Sequence, residues 1–328
     1  MKGGYKVKRL DLSRTTTFSV KNRHNLVTID NMTRPGLDEI TLWDSPELEE
    51  LADRIAAARL NKRPVIIFMG AHVIKCGLSR YIIELMEKGI LTHIASNGAG
   101  SIHDFELAYL GGTSEHVPAA IEDGSFGMWE ETGAWMNEAI NQGYANGLGY
   151  GESLARYIEE NMSRFPYADD CIVYRAYKAK IPATYHITIG ADIIHQHPKA
   201  DFSSLGGSSG IDFAVFCGSV SELEGGVFMN AGSAVTGAEV FLKALSIGRN
   251  QGYKIENITT ANFDIIPLGD YRSRVSDNHF HYYYRPRKNV INRPTSLGGR
   301  GLYIQGNHKD TIPNLYNKII NRMEKKNV

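Results

Sequence analysis

Two glycine-containing turns, each directly after an apolar run, hold the residue types best suited to bind an anion. The run at residues 64–70 leads into Ala71, His72, Val73, Ile74 and Lys75. The run at residues 90–96 leads into Asn97, Gly98, Ala99 and Gly100. A helical pattern follows each turn, and backbone N–H groups at strand-to-helix turns bind anionic ligands. We therefore expect both turns to line one ligand site at the edge of a parallel sheet.

His103 and Asp104 follow the second turn directly and are the best candidates for acid–base chemistry. Histidine titrates near neutral pH, and a carboxylate can take up a proton or bind a ribose hydroxyl or a substrate amine. The competing interpretation of Asp104 is structural, because the helix dipole stabilises an acidic residue at a helix start. The usual dinucleotide fingerprint of three glycines and a later acidic residue is absent.

Other polar clusters carry weaker signals. His195 and His197 would face the same way on a strand, with Asp192 nearby, but the spacing offers no third metal ligand. We therefore predict hydrogen-bonded histidines there and no metal site. Residues 122–131 place carboxylates around a tryptophan, which predicts either a cover over a cationic substrate or a solvated acidic loop. Residues 278–288 mix aromatic and cationic side chains, which favours a subunit contact over a base-stacking platform.

The elements that must position these residues follow a repeated order of strand, turn and helix. We predict strands at 64–69, 90–96, 181–187, 224–230 and 253–261, and helices at 46–60, 78–88, 102–110, 151–165, 234–248 and 311–325. Residues 264–305 look irregular. This order predicts a Rossmann-like, open and mostly parallel α/β sheet with helices on both faces. We expect an N-terminal arm at 1–35 and a single domain at 36–328 with an insertion at 111–150.

Composition narrows the class of protein. Lys and Arg together number 36, as do Asp and Glu, so the excess positive charge of a nucleic-acid-binding protein is missing. The three cysteines are widely separated, without metal-ligand spacing, which favours a reducing compartment, and we expect a cytoplasmic protein. The basic start of the chain has no apolar segment typical of a secretory signal, and no run is long enough to cross a bilayer.

The order of motifs through residues 64–266 resembles deoxyhypusine synthase and its wider superfamily of NAD-binding homologues. Residues 71–77 resemble the family turn Ser-Asn-Leu-Ile-Ser-Ser-Gly, and residues 93–104 resemble the turn Thr-Ala-Gly-Gly-Val-Glu-Glu-Asp. Residues 190–192 resemble Leu-Gly-Asp, and residues 224–230 resemble Gly-Gly-Gly-Val-Val-Lys-His. Residues 258–262 resemble Ile-Asn-Thr-Ala-Gln. The resemblance implies a homotetramer with sites between subunits. It also implies NAD contacts from residues 71–75 and 97–100 and from Asp192, Thr259, Thr260, Ala261 and Asn262.

Departures from the family pattern fall on its catalytic residues. Ile102 and His103 stand where the family has paired glutamates, and Asn230 stands where it has a histidine. The Trp-Gly-Lys segment that supplies the family's imine-forming lysine has no counterpart after residue 262, and Lys288 lies in a different context. The resemblance therefore implies the fold and the NAD site, without the synthase reaction itself.

From these residues we expect an NAD-binding enzyme that acts on an amine, polyamine or amino acid. A hydride would leave the carbon that bears nitrogen, the resulting imine would react, and the hydride would return. His103 and Asp104 are the expected acid–base residues. One alternative is a true aminobutyl transferase with Lys75 as its imine-forming lysine. The others are a non-catalytic nucleotide sensor and a metal-dependent hydrolase that uses His195 and His197.

Overall fold

A computed structural model describes residues 7–273 and 280–326 and contains one central parallel sheet. Its six strands are β1 Val65–Met69, β2 His93–Asn97, β3 Ala183–His186, β4 Val227–Ala231, β5 Thr259–Asp264 and β6 Arg300–Gln305. They lie in the order β3-β2-β1-β4-β5-β6, and every neighbouring pair is parallel. This is the strand order of the dinucleotide-binding doubly wound fold. The predicted α/β, Rossmann-like class is confirmed.

Helices cover both faces of the sheet. They are α1 Pro46–Leu60, α2 Ala71–Lys75, α3 Ser79–Glu87, α4 Gly98–Leu110, α5 Val117–Asp123, α6 Glu130–Ala145, α7 Tyr150–Glu160, α8 Ile172–Lys178, α9 Phe202–Ser221, α10 Thr236–Asn250 and α11 His308–Lys326. Alternate β1 side chains point to opposite faces. Ile67 packs in a core cluster with residues of α1, α3 and α11, while Phe68 packs with residues of α9 and α10. Within the described residues, no helix is long and apolar enough to cross a membrane.

The switch point of the sheet lies between β1 and β4. From β1 the chain builds towards β3, and from β4 it builds towards β6, so the loops after β1 and β4 separate at the carboxyl edge. Gly70 and Gly232 sit where these loops approach most closely, and a Cβ atom on Gly70 would lie 2.2 Å from the carbonyl oxygen of Gly232. Only glycine fits at position 70, and the crevice opens beside this contact.

Strand β6 was not predicted, because it lies in the stretch 264–305 that looks irregular in sequence. Its apolar residues are few, and a six-residue π-helix, Arg287–Asn292, precedes it. Strand β5 begins at Thr259 and ends at Asp264, later at both ends than predicted. Polar side chains at Thr260 and Asn262 break the apolar pattern, yet both residues are buried between β4 and β6.

The N-terminal segment packs against residues 111–150. Val27–Thr28 pairs antiparallel with Gly112–Thr113, and the side chains of Glu130 and Glu131 accept hydrogen bonds from residues 17–20. Residues 1–6 of the predicted arm lie outside the described residues, and the domain boundary at 35/36 stays a prediction. The predicted insertion folds largely into α5 and α6.

Candidate functional site

A crevice of about 810 Å³ opens at the carboxyl edge of the sheet, at the switch point. The loops after β1, β4, β5 and β6 all contribute to it, through residues that include His72, Lys75, Gly232, Asp264, His308 and Lys309. Ligands of open α/β sheets bind at such switch points. The first predicted turn, at 71–75, therefore reaches the crevice through His72 and Lys75.

Helix α11 starts at this crevice with polar groups directed at it. Gly232 has φ of +67°, and a Cβ atom there would lie 2.6 Å from Nε2 of His308. Nδ1 of His308 is buried and has no hydrogen-bond partner within the described residues. Burial, followed by the neighbouring His72, lowers the pKa of His308 to about 4, so its ring is neutral at pH 7. Lys75 and Lys309 supply positive charge, which together with the helix N-terminus suits an anionic ligand.

A buried polar network supports the floor of the crevice. Asn230 Nδ2 donates to Asn262 Oδ1 at 2.6 Å, and Asn262 Nδ2 donates to the Tyr284 hydroxyl at 3.3 Å. Tyr284 in turn donates to the carboxylate of Asp264. The network fixes the carboxyl ends of β4 and β5 side by side. Asn230, which stands in place of the family's histidine, is a buried member of this network.

A second cavity of about 310 Å³ lies beside the crevice, between α4, the N-terminal segment and the loops around α5. Its polar wall includes Arg23, Lys75, His103, Glu115 and Asp192. Lys75 lines both cavities, so the two meet at this side chain. Ser114, also in the wall, has φ of +66°, a strained conformation for a residue other than glycine.

A chain of hydrogen bonds holds His103 in this wall. Arg23 Nη1 donates to Glu106 Oε1 at 2.7 Å, and the Thr113 hydroxyl donates to Glu106 Oε2 at 2.5 Å. The Thr113 oxygen lies 2.6 Å from Nδ1 of His103. Because Thr113 gives its single proton to the carboxylate, His103 must donate from Nδ1. Nε2 then carries the lone pair and can accept a proton.

Burial, aided by the nearby charges of Lys75 and Arg23, lowers the pKa of His103 to about 4. The imidazole is therefore neutral at pH 7. A neutral ring that is fixed at Nδ1 and open at Nε2 has the arrangement of a proton acceptor in acid–base catalysis.

Asp192 and His195 face each other without completing a hydrogen bond. His195 Nδ1 accepts backbone N–H bonds from Gly190 and Asp192, and His195 Nε2 lies 3.8 Å from Asp192 Oδ2. Both of these facing atoms are buried and unpartnered within the described residues. Burial raises the pKa of Asp192 to about 6. The Asp192 carboxylate sits over the Cα of Gly98, where a Cβ atom would lie 1.9 Å from Oδ2.

Asp104 lines neither cavity, and its contacts favour the structural interpretation over the acid–base role. Its carboxylate is fully buried and accepts backbone N–H bonds from Ile172 and Val173, both at 2.8 Å. Cys171 contacts it through sulfur. Burial raises the pKa of Asp104 to about 6. Asp104 therefore caps the N-terminus of α8 from within α4, since its side chain points into the protein.

Some of the predicted cofactor residues line a cavity, whereas others are buried in the protein. Residues 98–100 form the first turn of α4, and the Asn97 side chain accepts a hydrogen bond from Gly100 N. Ala99 of this turn lines the second cavity. Thr259, Thr260 and Ala261 lie in the first half of β5, away from its carboxyl end. Thr260 donates a hydrogen bond to the Val290 carbonyl, and Ala261 is buried in the hydrophobic core.

The other predicted cofactor residues are also buried. Asn262 belongs to the polar network below the crevice, and Val73 and Ile74 lie in the hydrophobic core. Asp264 reaches the crevice instead.

The weaker clusters have other roles. His195 binds backbone N–H groups, while His197 Nε2 lies 3.2 Å from Glu130 Oε2, so the two rings do not converge. Of the carboxylates in 122–131, Glu130 and Glu131 bind the N-terminal segment. Phe126 of the same segment lines the second cavity. In the segment 278–288, Asn278 and His279 lie outside the described residues. Arg285 pairs with Glu239.

Sequence reasoning missed several residues that line the two cavities, namely Arg23, Glu106, Glu115, Asp264, His308 and Lys309, and also missed Thr113, which orients His103. One signal was available, because Glu106 lies one helical turn after His103. No sequence signal pointed to Arg23, because it lies in a polar segment without periodicity.

No protein-family model and no curated protein sequence matches the chain. Solved structures do match. The unliganded structure of AgrE is 13% identical, with 87% of this chain and 34% of the AgrE chain covered and a TM-score of 0.50. An LOR/SDH protein from Methanococcus maripaludis S2 is 14% identical over 90% of this chain and 74% of its own, with a TM-score of 0.48. ArgZ, an arginine dihydrolase from cyanobacteria, is 12% identical over 87% of this chain and 33% of its own, with a TM-score of 0.48.

The chain thus spans about a third of the AgrE and ArgZ chains. The similarity to AgrE shows the shared fold alone. The resemblance to deoxyhypusine synthase stays a sequence-based prediction.

Proposed function

We propose that this chain is an NAD-dependent enzyme that acts on an amino acid or a related amine. The observation that supports this most directly is the meeting of two cavities at Lys75. A dinucleotide in the crevice and a small substrate in the second cavity would be neighbours, as a transfer between them requires. AgrE has been solved with ornithine and NAD+, which are ligands of these two classes.

The residues of the crevice fit a dinucleotide. Lys309 and the N-terminus of α11 offer positive charge and backbone donors to phosphates, and Gly232 allows close approach of the backbone. The Asp264 carboxylate can accept hydrogen bonds from ribose hydroxyls. Bound NAD would supply a hydride acceptor.

The protein's own contribution to the chemistry would come from the second cavity. Nε2 of His103 is the group that would accept a proton from the substrate nitrogen, with Thr113 and Glu106 fixing the ring. Positioned acid–base groups contribute about 10²–10⁴-fold to rates. The placement of Lys75 and His103 on the cavities favours an enzyme over a sensor.

The finer alternatives remain part of the proposal. An aminobutyl transfer of the deoxyhypusine type needs a deprotonated lysine at the site, and Lys75 is the lysine that lines both cavities. Lys75 is exposed, however, whereas imine-forming lysines are activated by desolvation in an apolar pocket or by a cationic neighbour. We also propose a homo-oligomer, with a tetramer as the resemblance implies, and a cytoplasmic location.

Thermal unfolding of the purified protein with NAD, ADP-ribose or neither tests the cofactor. A ligand that binds only the folded state raises the midpoint. We expect NAD to raise it, and Lys309→Met to reduce that shift. Lys88→Met removes an exposed lysine that follows α3, before the amino end of β2 and outside the linings of both cavities, and should leave the shift unchanged. Absence of any shift with NAD would overturn the proposed function.

A further inference from the structure

We infer that the second cavity binds the α-carboxylate and α-ammonium groups of an amino acid, with Arg23 and Lys75 on the carboxylate and Asp192 on the ammonium. This assignment deepens the proposed function and rests on it for the presence of NAD in the adjoining crevice. It chooses an amino acid over a diamine or polyamine.

The unused hydrogen-bond donors of the wall call for an anionic group. Arg23 donates from Nε to Asn25 and from Nη1 to Glu106, but Nη2 is buried without an acceptor within the described residues. Arg23 is only 8% exposed. The Lys75 ammonium also has no hydrogen-bond acceptor among the residues that the structure describes. A buried guanidinium with an open N–H pair is a strong site for a carboxylate, because charge-assisted bonds are the strongest of their kind.

The unused acceptors call for a cationic donor. Asp192 Oδ2 is buried without a partner, and Nε2 of His103 holds a lone pair. The other carboxylates of the wall are already occupied. Glu106 accepts from Arg23, Thr113 and Thr132, and Glu115 accepts from Gly127 N and Trp129 Nε1.

Unpaired donors and acceptors on the residues that line one cavity match a zwitterion. A diamine would satisfy Asp192 but leave Arg23 Nη2 buried and unpaired, which carries a free-energy cost. A simple carboxylic acid would leave Asp192 unpaired. Most of the remaining wall is apolar, with Ile102, Val117 and Phe126, and can hold an aliphatic side chain. A volume of about 310 Å³ is at the small end of ligand pockets.

Calorimetric titration, with and without saturating NAD, tests the assignment. The probes are the standard α-amino acids and L-ornithine. The tightest binder is then compared with its decarboxylated amine and with the acid that lacks the α-amino group. For L-ornithine these are 1,4-diaminobutane and 5-aminopentanoate. We expect each truncated compound to bind at least about tenfold more weakly.

Two variants locate the carboxylate site. Arg23→Lys keeps the positive charge beside Glu106 but removes the guanidinium fork, and Lys75→Met removes an exposed charge without opening the core. Each variant should lower the affinity for the amino acid about tenfold and should change the affinity for the decarboxylated amine little. Lys88→Met is the matched control and should bind like the parent protein.

The outcomes separate the two proposals. Binding of an amino acid without any binding of NAD would support this assignment and overturn the proposed function. Binding of NAD with no bound amino acid, or equal affinity for the amine and the amino acid, would overturn the assignment and leave the cofactor intact. Loss of NAD affinity in Arg23→Lys, with no amino acid bound by the parent protein, would place the adenosine half in this cavity and also overturn it.

Discussion

Arg23 and Glu106 form a buried ion pair between the N-terminal segment and α4, with Nη1 2.7 Å from Oε1. The two side chains are 3% and 1% exposed. Burial of such a pair costs desolvation that the mutual attraction only partly offsets, so stability alone does not explain it. The pair instead holds one guanidinium edge at the second cavity and anchors the hydrogen bonds that orient His103.

Removing one partner of this pair should strongly destabilise the protein. Arg23→Ala leaves the Glu106 carboxylate buried without its cation, and we expect a loss of about 3–5 kcal/mol in the free energy of unfolding. Urea unfolding at pH 7 measures it. Arg34→Ala breaks the exposed pair with Asp38 and should leave stability nearly unchanged. Equal effects of the two variants would contradict a buried role for Arg23.

Thr113 should determine the tautomer of His103. Thr113→Val keeps the shape but removes the oxygen that accepts the Nδ1 proton. We expect the parent protein to hold the Nδ1–H form and the variant to shift towards Nε2–H, as read from ¹⁵N chemical shifts of the imidazole. Restoration of the parent spectrum by Thr113→Ser would separate loss of the hydroxyl from a packing effect. The Nε2–H form in the parent protein would contradict the proton-acceptor role.

Asp104 should matter for stability and not for ligand binding. Asp104→Ala leaves the N–H groups of Ile172 and Val173 unpaired, at a cost of about 1–3 kcal/mol for each. Asp104→Asn keeps one acceptor and should lose less. Unfolding measurements and NAD titrations on both variants check this. A folded, stable Asp104→Ala protein with reduced ligand affinity would return Asp104 to the site.

Amino-acid binding should weaken as the pH falls through about 6. Burial raises the pKa of Asp192 to about 6, so below that pH the group becomes neutral and no longer attracts an ammonium. Burial lowers the pKa of the neighbouring His195, so this ring takes up a proton at a lower pH than a free imidazole does. His103 has a pKa of about 4, and Arg23, whose pKa is raised despite burial by its hydrogen bond to Glu106, stays charged through this range.

Calorimetric titrations of the bound amino acid between pH 5 and pH 8 test this expectation. The Asp192→Asn protein should bind the amino acid weakly at every pH in that range. If the parent protein bound equally well at pH 5 and pH 8, the ammonium would lie elsewhere in the cavity.

The sequence determined the fold class and the edge of the sheet where ligands bind. Buried parallel strands need apolar runs, and residues 64–70 and 90–96 show them directly, with the turns that follow. Strand β6 escaped prediction because an edge strand with Gly301 and exposed Gln305 carries a weak apolar pattern.

Only the tertiary structure decided which polar residues share a site. His103 and Asp104 are adjacent in sequence, but the 3.6-residue turn of α4 directs one towards a cavity and the other into the core. Arg23 reaches Glu106 across 83 positions of the chain, a contact that no local pattern encodes. Local periodicity specifies which face of an element is buried, whereas the pairing of distant polar groups depends on how the packed elements meet.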